Sequence, residues 1–306
     1  MQSGSDSFTA MTAPSTATNV NPILDLTAWY AKLDGLRKSF ASAYPFTHIV
    51  LRDVLLSDVA TRLEQAFPEL DTAGWTHYKH INERKHGQSV RSAMPASVLS
   101  VIDKFNGERF VAFLEQLTGF TGLIPDSEFS AGGGLSQCGR GGFLNIHTDF
   151  TVHPYHPTWR RRLNLIFYLN RDWNEGWGGH TELWDDQMRK VAAKIAPTHN
   201  SCLIFDSRPP SYHGHPEPME CPEGVSRKTL ALYYFIEEAS PVSASTRYHP
   251  RPADGATKRL LIDVDQWVLR LYHWLKIRFG ISDALASRAL DRLSRFVDAL
   301  SSKRNR

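Results

Sequence analysis

The pattern of hydrophobic positions changes near residue 130 of this 306-residue chain. From about residue 23 to residue 120, most apolar positions recur with the 3.6-residue period of amphipathic helices. This region contains one short predicted strand at residues 49–51, and a polar, basic stretch at residues 77–91 that predicts a loop or an irregular strand. After residue 130, short apolar runs separated by glycine and proline are typical of a β-sandwich or barrel. These runs are FLNIHTDF, RLNLIFYLN, HTELWD, KVAAKIAP, SCLIFD and KTLALYYFIEE.

The last of these runs predicts a strand that is covered on both faces. Both sets of alternating positions in KTLALYYFIEE are largely apolar, whereas a strand with one solvated face would alternate apolar with polar residues. The helices that precede residue 120 are the expected cover. The chain is therefore expected to form an α+β fold with a mainly β core, which spans about residues 130–240 and is covered by the N-terminal helices.

Composition also divides the chain into three segments. Residues 1–22 are rich in serine, threonine, alanine and asparagine, which predicts a disordered tail before a domain at residues 23–248. Residues 249–306 form a predicted C-terminal helical extension, a hairpin of two amphipathic helices separated at Gly280. Packing of the first helix on the domain is the simplest interpretation; a homodimer contact, or a membrane-surface contact through basic residues, is the alternative. The apolar face of that helix comprises Leu260, Val264, Trp267, Leu271, Trp274 and Leu275, and the basic residues are Arg270, Lys276 and Arg278.

Bulk composition excludes several classes of protein. A formal net charge of +3 is too small to indicate nucleic-acid binding. Three cysteines without a C-x-x-C pair favour neither a disulfide framework nor a zinc ribbon, and they fit a reducing compartment. No apolar run is long enough for a transmembrane helix, and the N-terminus lacks the features of a secretory signal. We therefore expect a cytoplasmic location.

A metal site is predicted from two segments. His147 and Asp149 lie two residues apart in the strand FLNIHTDF, so their side chains point to the same face. The turn SYHGHPEP supplies a third ligand from His213 or His215, of which at most one is expected to point inward. Two histidines and one carboxylate leave open positions suited to non-haem Fe(II), although zinc or manganese accepts the same ligands.

Arg227 is the candidate binding residue for an anionic cosubstrate. It opens the strand that follows the SYHGHPEP turn, so its side chain is expected deep in the barrel beside the metal. A guanidinium group binds a carboxylate through two parallel hydrogen bonds. A surface ion pair would be the ordinary role of a strand-end arginine, but the neighbouring metal ligands favour cosubstrate binding.

These segments together resemble the Fe(II)- and 2-oxoglutarate-dependent oxygenases of the prolyl-hydroxylase-like branch. The resemblance covers roughly residues 43–240 and implies a double-stranded β-helix, also called a jelly-roll barrel. It implies that His213 is the third iron ligand after His147 and Asp149, with His215 as a neighbour. The segments that carry it are YPFTHIVLRDVLLSDVATRLEQAFPEL, GGGLSQCGRGGFLNIHTDF, RRLNLIFYLNRDWNEGWGGHTELWD and SCLIFDSRPPSYHGHPEPMECPEGVSRKTLALYYF.

The resemblance also assigns the cosubstrate site. It implies that Arg227 binds the distal carboxylate of 2-oxoglutarate and that the hydroxyl group of Tyr168 contacts the same carboxylate. Gln137 departs from the pattern because related enzymes often carry a tyrosine there, so the other end of the cosubstrate site is less well defined.

The activity implied by the resemblance is hydroxylation of an unactivated C–H bond with release of succinate and CO2. Fe(II), 2-oxoglutarate and O2 are the implied cofactors and cosubstrates, with ascorbate in support. The expected substrate is a small molecule such as an amino acid derivative, a sugar or a biosynthetic intermediate; a peptidyl hydroxylase and a non-catalytic metal-binding scaffold are the alternatives. Asp149 favours hydroxylation, while desaturation and cyclisation stay open. Arg84, Lys85 and Arg91 of the basic stretch either face an anionic or polyhydroxylated substrate or form a solvated loop.

Overall fold

The computed structural model describes residues 22–279 except 71 and 73, with side chains described as far as residue 267. The predicted tail before residue 22 and the predicted second C-terminal helix lie outside the described residues. The helices are α1 (Leu26–Ala31), α2 (Leu33–Ser42), α3 (Ser57–Gln65), α4 (Ala96–Asn106), α5 (Glu108–Thr118) and α6 (Ala256–Phe279). The strands are β1 (His48–Arg52), β2 (Thr76–His80), β3 (Glu83–Gln88), β4 (Ile124–Pro125), β5 (Gly134–Cys138), β6 (Phe143–Thr148), β7 (Trp159–Tyr168), β8 (Thr181–Trp184), β9 (Val191–Ile195), β10 (Ser201–Asp206), β11 (His213–His215), β12 (Arg227–Glu237) and β13 (Arg247–Tyr248).

The strands form a nearly closed antiparallel barrel. Their hydrogen-bonded order is β1-β10-β7-β12-β5-β3-β6-β11-β8-β9, while β13 pairs with β6, β2 with β3 and β4 with β12. Most strands that pair in this order are distant from each other in the sequence. This is expected for a jelly roll, whereas a simple meander pairs consecutive strands. The structure therefore confirms the predicted jelly-roll barrel.

β12 shows why its two faces are both apolar. Leu230, Leu232 and Tyr234 point outward into a buried cluster that contains Phe105 and Phe113 of the helices. Thr229, Ala231 and Tyr233, the alternate positions, line a cavity inside the barrel. The helices before residue 120 cover the barrel as predicted, and the other face of the strand is directed toward the cavity.

The polar, basic stretch at residues 77–91 is a regular β-hairpin over most of its length, so the prediction of a loop or an irregular strand is wrong. β2 and β3 pair in an unbroken antiparallel register from Thr76↔Gly87 to His80↔Glu83. β3 also joins β5 and β6, which places it inside the sheet. The pattern is not apolar because the inward-facing residues border a cavity instead of packing into the core, and charged residues are stable there when they are paired.

α6 packs on the domain through a different face from the predicted one. Ile262 and Gln266 are buried, whereas Leu260, Val264 and Trp267 are exposed. As far as residue 267, the predicted apolar stripe therefore faces away from the domain. The face that contacts the domain instead carries one apolar and one polar residue, Ile262 and Gln266. No helix in the described part of the chain is long and apolar enough to cross a membrane.

Gly214, between two histidines of β11, is required by the close approach of β11 to β6. An ideal Cβ at this position would lie 2.7 Å from the carbonyl oxygen of Leu144 and 2.8 Å from that of Asn145. Because both contacts are backbone atoms, Gly214→Ala should force β11 away from β6 and lower the free energy of unfolding by about 2 kcal/mol. Urea unfolding measures this change. Gly35→Ala, in α2 with no atom within 4 Å of the added Cβ, is the matched control; equal losses in the two variants would contradict the prediction.

Candidate functional site

The three predicted metal ligands converge at one end of the barrel. β6 and β11 are antiparallel neighbours with His147 directly opposite His213, and Asp149 follows the end of β6. The Nε2 atom of His147 lies 3.6 Å from Oδ1 of Asp149, and Nε2 of His213 lies 3.6 Å from Oδ2. All three potential ligand atoms lie within 4.8 Å of one another, and the residues are buried. A single ion placed between them would contact one atom from each residue.

The backbone fixes the orientation of both histidine rings. Nδ1 of His147 lies 3.0 Å from the carbonyl oxygen of Asn145, and Nδ1 of His213 lies 2.9 Å from that of Ser211. A carbonyl oxygen only accepts hydrogen bonds, so each Nδ1 carries the proton and each Nε2 presents a lone pair toward Asp149. This tautomer is the one that binds a metal through Nε2.

His213 is held neutral by its surroundings. Burial lowers the pKa of His213, the neighbouring His147 lowers it further, and the resulting pKa is about 4. The imidazole is therefore unprotonated near neutral pH and is ready to act as a ligand. The donor set fits Fe(II), which accepts imidazole nitrogen and carboxylate oxygen on one face.

Asp149 is oriented by two polar residues of β7. The amide nitrogen of Asn164 donates to Oδ2 of Asp149 at 2.6 Å, and the guanidinium group of Arg161 lies 3.4 Å from the same oxygen. Burial raises the pKa of Asp149, but the positive charge of the neighbouring Arg161 outweighs it, and the pKa stays well below its usual range. The carboxylate is therefore ionised.

Sequence reasoning missed the roles of Arg161 and Asn164. Both lie in β7 within RRRLNLIFYLN, and the structure places both on the cavity side of the barrel. A polar residue inside an otherwise apolar strand was the available signal, but β7 bulges at Arg162, where Leu163 pairs with Tyr234 and Arg161 with Phe235, and this disturbs its simple alternation. Arg161 is also held over the ring of Tyr233, with its guanidinium carbon 3.5 Å from the ring centre.

Both histidines of the SYHGHPEP segment point inward, which corrects the expectation that at most one would do so. His213 and His215 are two residues apart on β11 and both line the cavity. The pairing of β11 with β6 is irregular between the two histidines, and this directs His215 away from the metal ligands. Of the two, only His213 joins His147 and Asp149 in the cluster. Nδ1 of His215 is buried without a hydrogen-bond partner among the described residues.

Arg227 is buried on the wall of the same cavity, at the start of β12. Its Nε donates to the carbonyl oxygen of Gly179 at 2.8 Å, and its Nη2 donates to the hydroxyl oxygen of Thr181 at 2.9 Å. Both acceptors are uncharged, so these hydrogen bonds fix the guanidinium group without neutralising it. Among the described residues no carboxylate pairs with Arg227, and a buried positive charge of this kind is the feature expected of an anion-binding site.

Tyr168 lies beside Arg227 but does not line the cavity. Its hydroxyl oxygen is 2.8 Å from Oγ1 of Thr181, and the guanidinium carbon of Arg227 is 5.2 Å from its ring centre. Burial raises the pKa of Tyr168, so its hydroxyl group is protonated. Thr181, which the sequence did not single out, stands between Tyr168 and Arg227 and reaches the cavity.

These residues surround one large cavity. Its volume is about 990 Å³, and its wall includes the three metal-ligand candidates, Arg227 and His215. The barrel strands supply most of the wall, and the hairpin β2–β3, the glycine-rich segment 131–134, residues 245–248 and α6 supply the rest. The site is thus lined by elements from both ends of the described chain.

A chain of ion pairs borders the cavity on the side of the hairpin. Glu83 lies 2.8 Å from the ammonium group of Lys85 and 2.9 Å from Nε2 of His80. Nδ1 of His80 lies 3.3 Å from Asp265 of α6. Burial lowers the pKa of His80, but the hydrogen bonds and charges of Asp265 and Glu83 outweigh it and raise the pKa to about 9. His80 is therefore protonated near neutral pH.

The raised pKa of His80 predicts a pH-dependent contribution to stability. This contribution should be fully present below the unfolded-state pKa of 6.5 and should be lost as the pH rises through about 9. An Asp265→Asn variant, which lacks one partner of His80, should be less stable than the wild type by about 2 kcal/mol at pH 6. The difference should shrink toward pH 10. Urea unfolding of both proteins across this range measures it, and a difference that is constant with pH would contradict the assignment.

Comparison with known proteins finds a family model that matches the central part of the chain. Residues 133–235 match the model of the 2OG-Fe(II) oxygenase superfamily. This range contains all three metal-ligand candidates and Arg227. No curated protein sequence is similar enough to match.

Several solved structures are similar to this chain at low sequence identity. A prolyl-4-hydroxylase from Pseudomonas putida is 12% identical with a TM-score of 0.47, and the match covers 66% of this chain and 99% of that one. A viral collagen prolyl hydroxylase from Paramecium Bursaria Chlorella virus-1, in complex with 2OG, is 14% identical with a TM-score of 0.44 and coverages of 64% and 98%. HygX from Streptomyces hygroscopicus, with nickel, 2-oxoglutarate and hygromycin B bound, is 10% identical with a TM-score of 0.43 and coverages of 67% and 86%.

Proposed function

Because this protein carries a domain of the 2OG-Fe(II) oxygenase superfamily at residues 133–235, we propose that it hydroxylates an unactivated C–H bond of a small-molecule substrate. The proposed substrate class is an amino acid derivative, a sugar or a biosynthetic intermediate. The reaction consumes 2-oxoglutarate and O2 and releases succinate and CO2.

One observation carries the choice of a small molecule, and it is the burial of the three ligand candidates at the wall of a deep cavity. The three ligand candidates are each at most 8% exposed, and the hairpin β2–β3, residues 245–248 and α6 all contribute to the wall around them. A volume of about 990 Å³ is at the upper end of the range of small-molecule pockets, and 2-oxoglutarate would occupy part of it. An enzyme that acts on a protein needs an open groove beside the metal instead.

The proposed iron ligands are His147, Asp149 and His213. The carbonyl oxygens of Asn145 and Ser211 keep the two imidazoles in the tautomer that offers Nε2. Asn164 positions the carboxylate of Asp149. When Fe(II), 2-oxoglutarate and O2 are bound, they supply the oxidising chemistry that inserts one oxygen atom into the substrate while 2-oxoglutarate becomes succinate and CO2.

Arg227 is proposed to bind the distal carboxylate of 2-oxoglutarate. Thr181 accepts a hydrogen bond from Arg227 and contacts Tyr168, so Tyr168 is proposed to act by positioning Thr181 rather than by touching the cosubstrate. Apolar side chains on the wall, among them Leu135, Leu144 and Ile166, exclude water from the reaction.

A substrate screen tests the proposal. The protein, supplied with Fe(II), ascorbate and 2-oxoglutarate, should form succinate, and a small-molecule library analysed by mass spectrometry should contain a compound that gains one oxygen atom. Oxygen gain in proline-containing peptides but in no small molecule would assign a peptidyl hydroxylase instead. No succinate in any condition, with no spectral change on anaerobic addition of Fe(II) and 2-oxoglutarate, would favour a non-catalytic scaffold.

Two further expectations stay predictions. A homodimer formed through the C-terminal helices would use the exposed stripe of Leu260, Val264 and Trp267 on α6. The cytoplasmic location rests on the sequence alone.

A further inference from the structure

The hairpin β2–β3 presents alternate side chains to the catalytic cavity. Glu83, Lys85 and Gly87 line it, as do Tyr78 and His80 of the opposite strand. Arg84 lies between two of these positions and is exposed. Of the three residues Arg84, Lys85 and Arg91, Lys85 is thus the one that lines the cavity, as the two-residue period of a strand requires.

Lys85 has hydrogen-bonding capacity to spare. Its ammonium group carries three donors, and its ion pair with Glu83 at 2.8 Å uses one of them. The ring centre of Tyr78 lies 5.5 Å away and provides a favourable aromatic surface. A quarter of the Lys85 side chain is exposed, and the residue borders the cavity, so a bound molecule can reach the remaining donors.

Among the described residues, the charges that line the cavity and their direct ion-pair partners leave one positive charge in excess. The four cations are Lys85, Arg161, Arg227 and protonated His80, and the carboxylates that face them are Glu83, Asp149 and Asp265. Fe(II) and 2-oxoglutarate carry equal and opposite charges, so their binding does not change the balance. Charges that are partly shielded from water by the cavity wall favour a ligand that neutralises such an excess.

We propose that Lys85 determines substrate specificity and that the substrate is a small molecule with one carboxylate group. This inference rests on the proposed function, because it concerns the substrate of the same site. A phosphate ester would bring nearly two negative charges, which exceeds the single charge to be neutralised. Glu83, held by His80, keeps the ammonium group in place at the wall.

Matched sets of small molecules test the proposal. Each set contains an N-acetyl amino acid, its primary amide and the amine of the same carbon skeleton. Two readouts are used: succinate formed above the substrate-free rate, and perturbation of the visible absorption of the anaerobic Fe(II)–2-oxoglutarate complex. Carboxylates should bind and stimulate turnover in preference to their amides, and Lys85→Met should lower that preference by at least about 10-fold.

Two variants separate recognition from a structural role of the ion pair. Arg84→Met removes the adjacent charge from the exposed side of the same hairpin and should keep the wild-type preference. Lys85→Arg keeps the charge and should restore part of the preference, with the fold of each variant checked by its melting temperature.

The outcomes distinguish this inference from the proposed function. A preference for amines or amides, an unchanged preference in Lys85→Met, or no response to any carboxylate would overturn the role of Lys85. Failure of the proposed function would instead abolish the visible absorption of the Fe(II)–2-oxoglutarate complex and the succinate formed without substrate.

Discussion

An Asp149→Ala variant should bind Fe(II) more than about 100-fold more weakly than the wild type and should form no hydroxylated product. The reason is that Asp149 is the one carboxylate among the three converging side chains, and its Oδ1 and Oδ2 each face an Nε2 lone pair. Loss of a residue that only supports a ligand already weakens metal binding by about 10- to 100-fold, so loss of the ligand itself should cost more. Calorimetric titration with Fe(II) under anaerobic conditions measures the affinity.

Two further variants control for damage to the fold. Asp149→Asn keeps the shape of the side chain and an oxygen for Asn164, so it should retain the fold and still lose the metal. Asn164→Ala leaves the ligand in place but unsupported, and should weaken binding by about 10-fold. Wild-type affinity in Asp149→Asn would show that this carboxylate is not a ligand.

An Arg227→Met variant should raise the KM for 2-oxoglutarate by about 10- to 100-fold, the range expected for loss of hydrogen bonds to a charged group. Arg227 is buried on the cavity wall, and its described hydrogen bonds go to two uncharged acceptors. Its positive charge is therefore available to the distal carboxylate of 2-oxoglutarate. Steady-state measurement of succinate against 2-oxoglutarate concentration gives the KM.

The choice of cosubstrate separates carboxylate binding from a general structural effect. 2-Oxopentanoate has the same carbon chain as 2-oxoglutarate but lacks the distal carboxylate, so the wild type should strongly prefer 2-oxoglutarate. Arg227→Met should lose most of that preference. Arg171→Met, which removes a half-exposed arginine that is paired with Glu64 on the outside of the barrel, should retain it. Equal preferences in all three proteins would contradict the assignment of Arg227.

The barrel was predictable from sequence where each strand packs into the core. β12 has apolar residues on both sides because one face meets the helices and the other meets the cavity, and alternation reports this directly. The hairpin β2–β3 was not predictable in the same way, since its inward residues are Glu83 and Lys85. Their burial depends on partners such as His80 and Asp265, and Asp265 lies in α6, far along the chain from the hairpin. Hydrophobic periodicity contains no information about such pairs.

The candidate site shows a similar division. The spacing of His147 and Asp149 predicted a shared face, and the structure brings them together with His213. The separate positions of His213 and His215 depend on an irregularity of β11, and the place of Thr181 between Tyr168 and Arg227 depends on how β8 meets β12. Both are consequences of tertiary packing. α6 is a further case, because its apolar stripe predicted the wrong contact face.

The hydrogen bonds from the imidazoles to the carbonyl oxygens of Asn145 and Ser211 have a consequence for metal binding. Both rings are already immobilised by their own strands, so little rotational freedom is left to lose when a metal arrives. The orientation of the two imidazoles is therefore set by the backbone and not by the metal. Removal of Fe(II) with a chelator and its return should restore the original Fe(II) affinity, which calorimetric titration before and after the cycle measures.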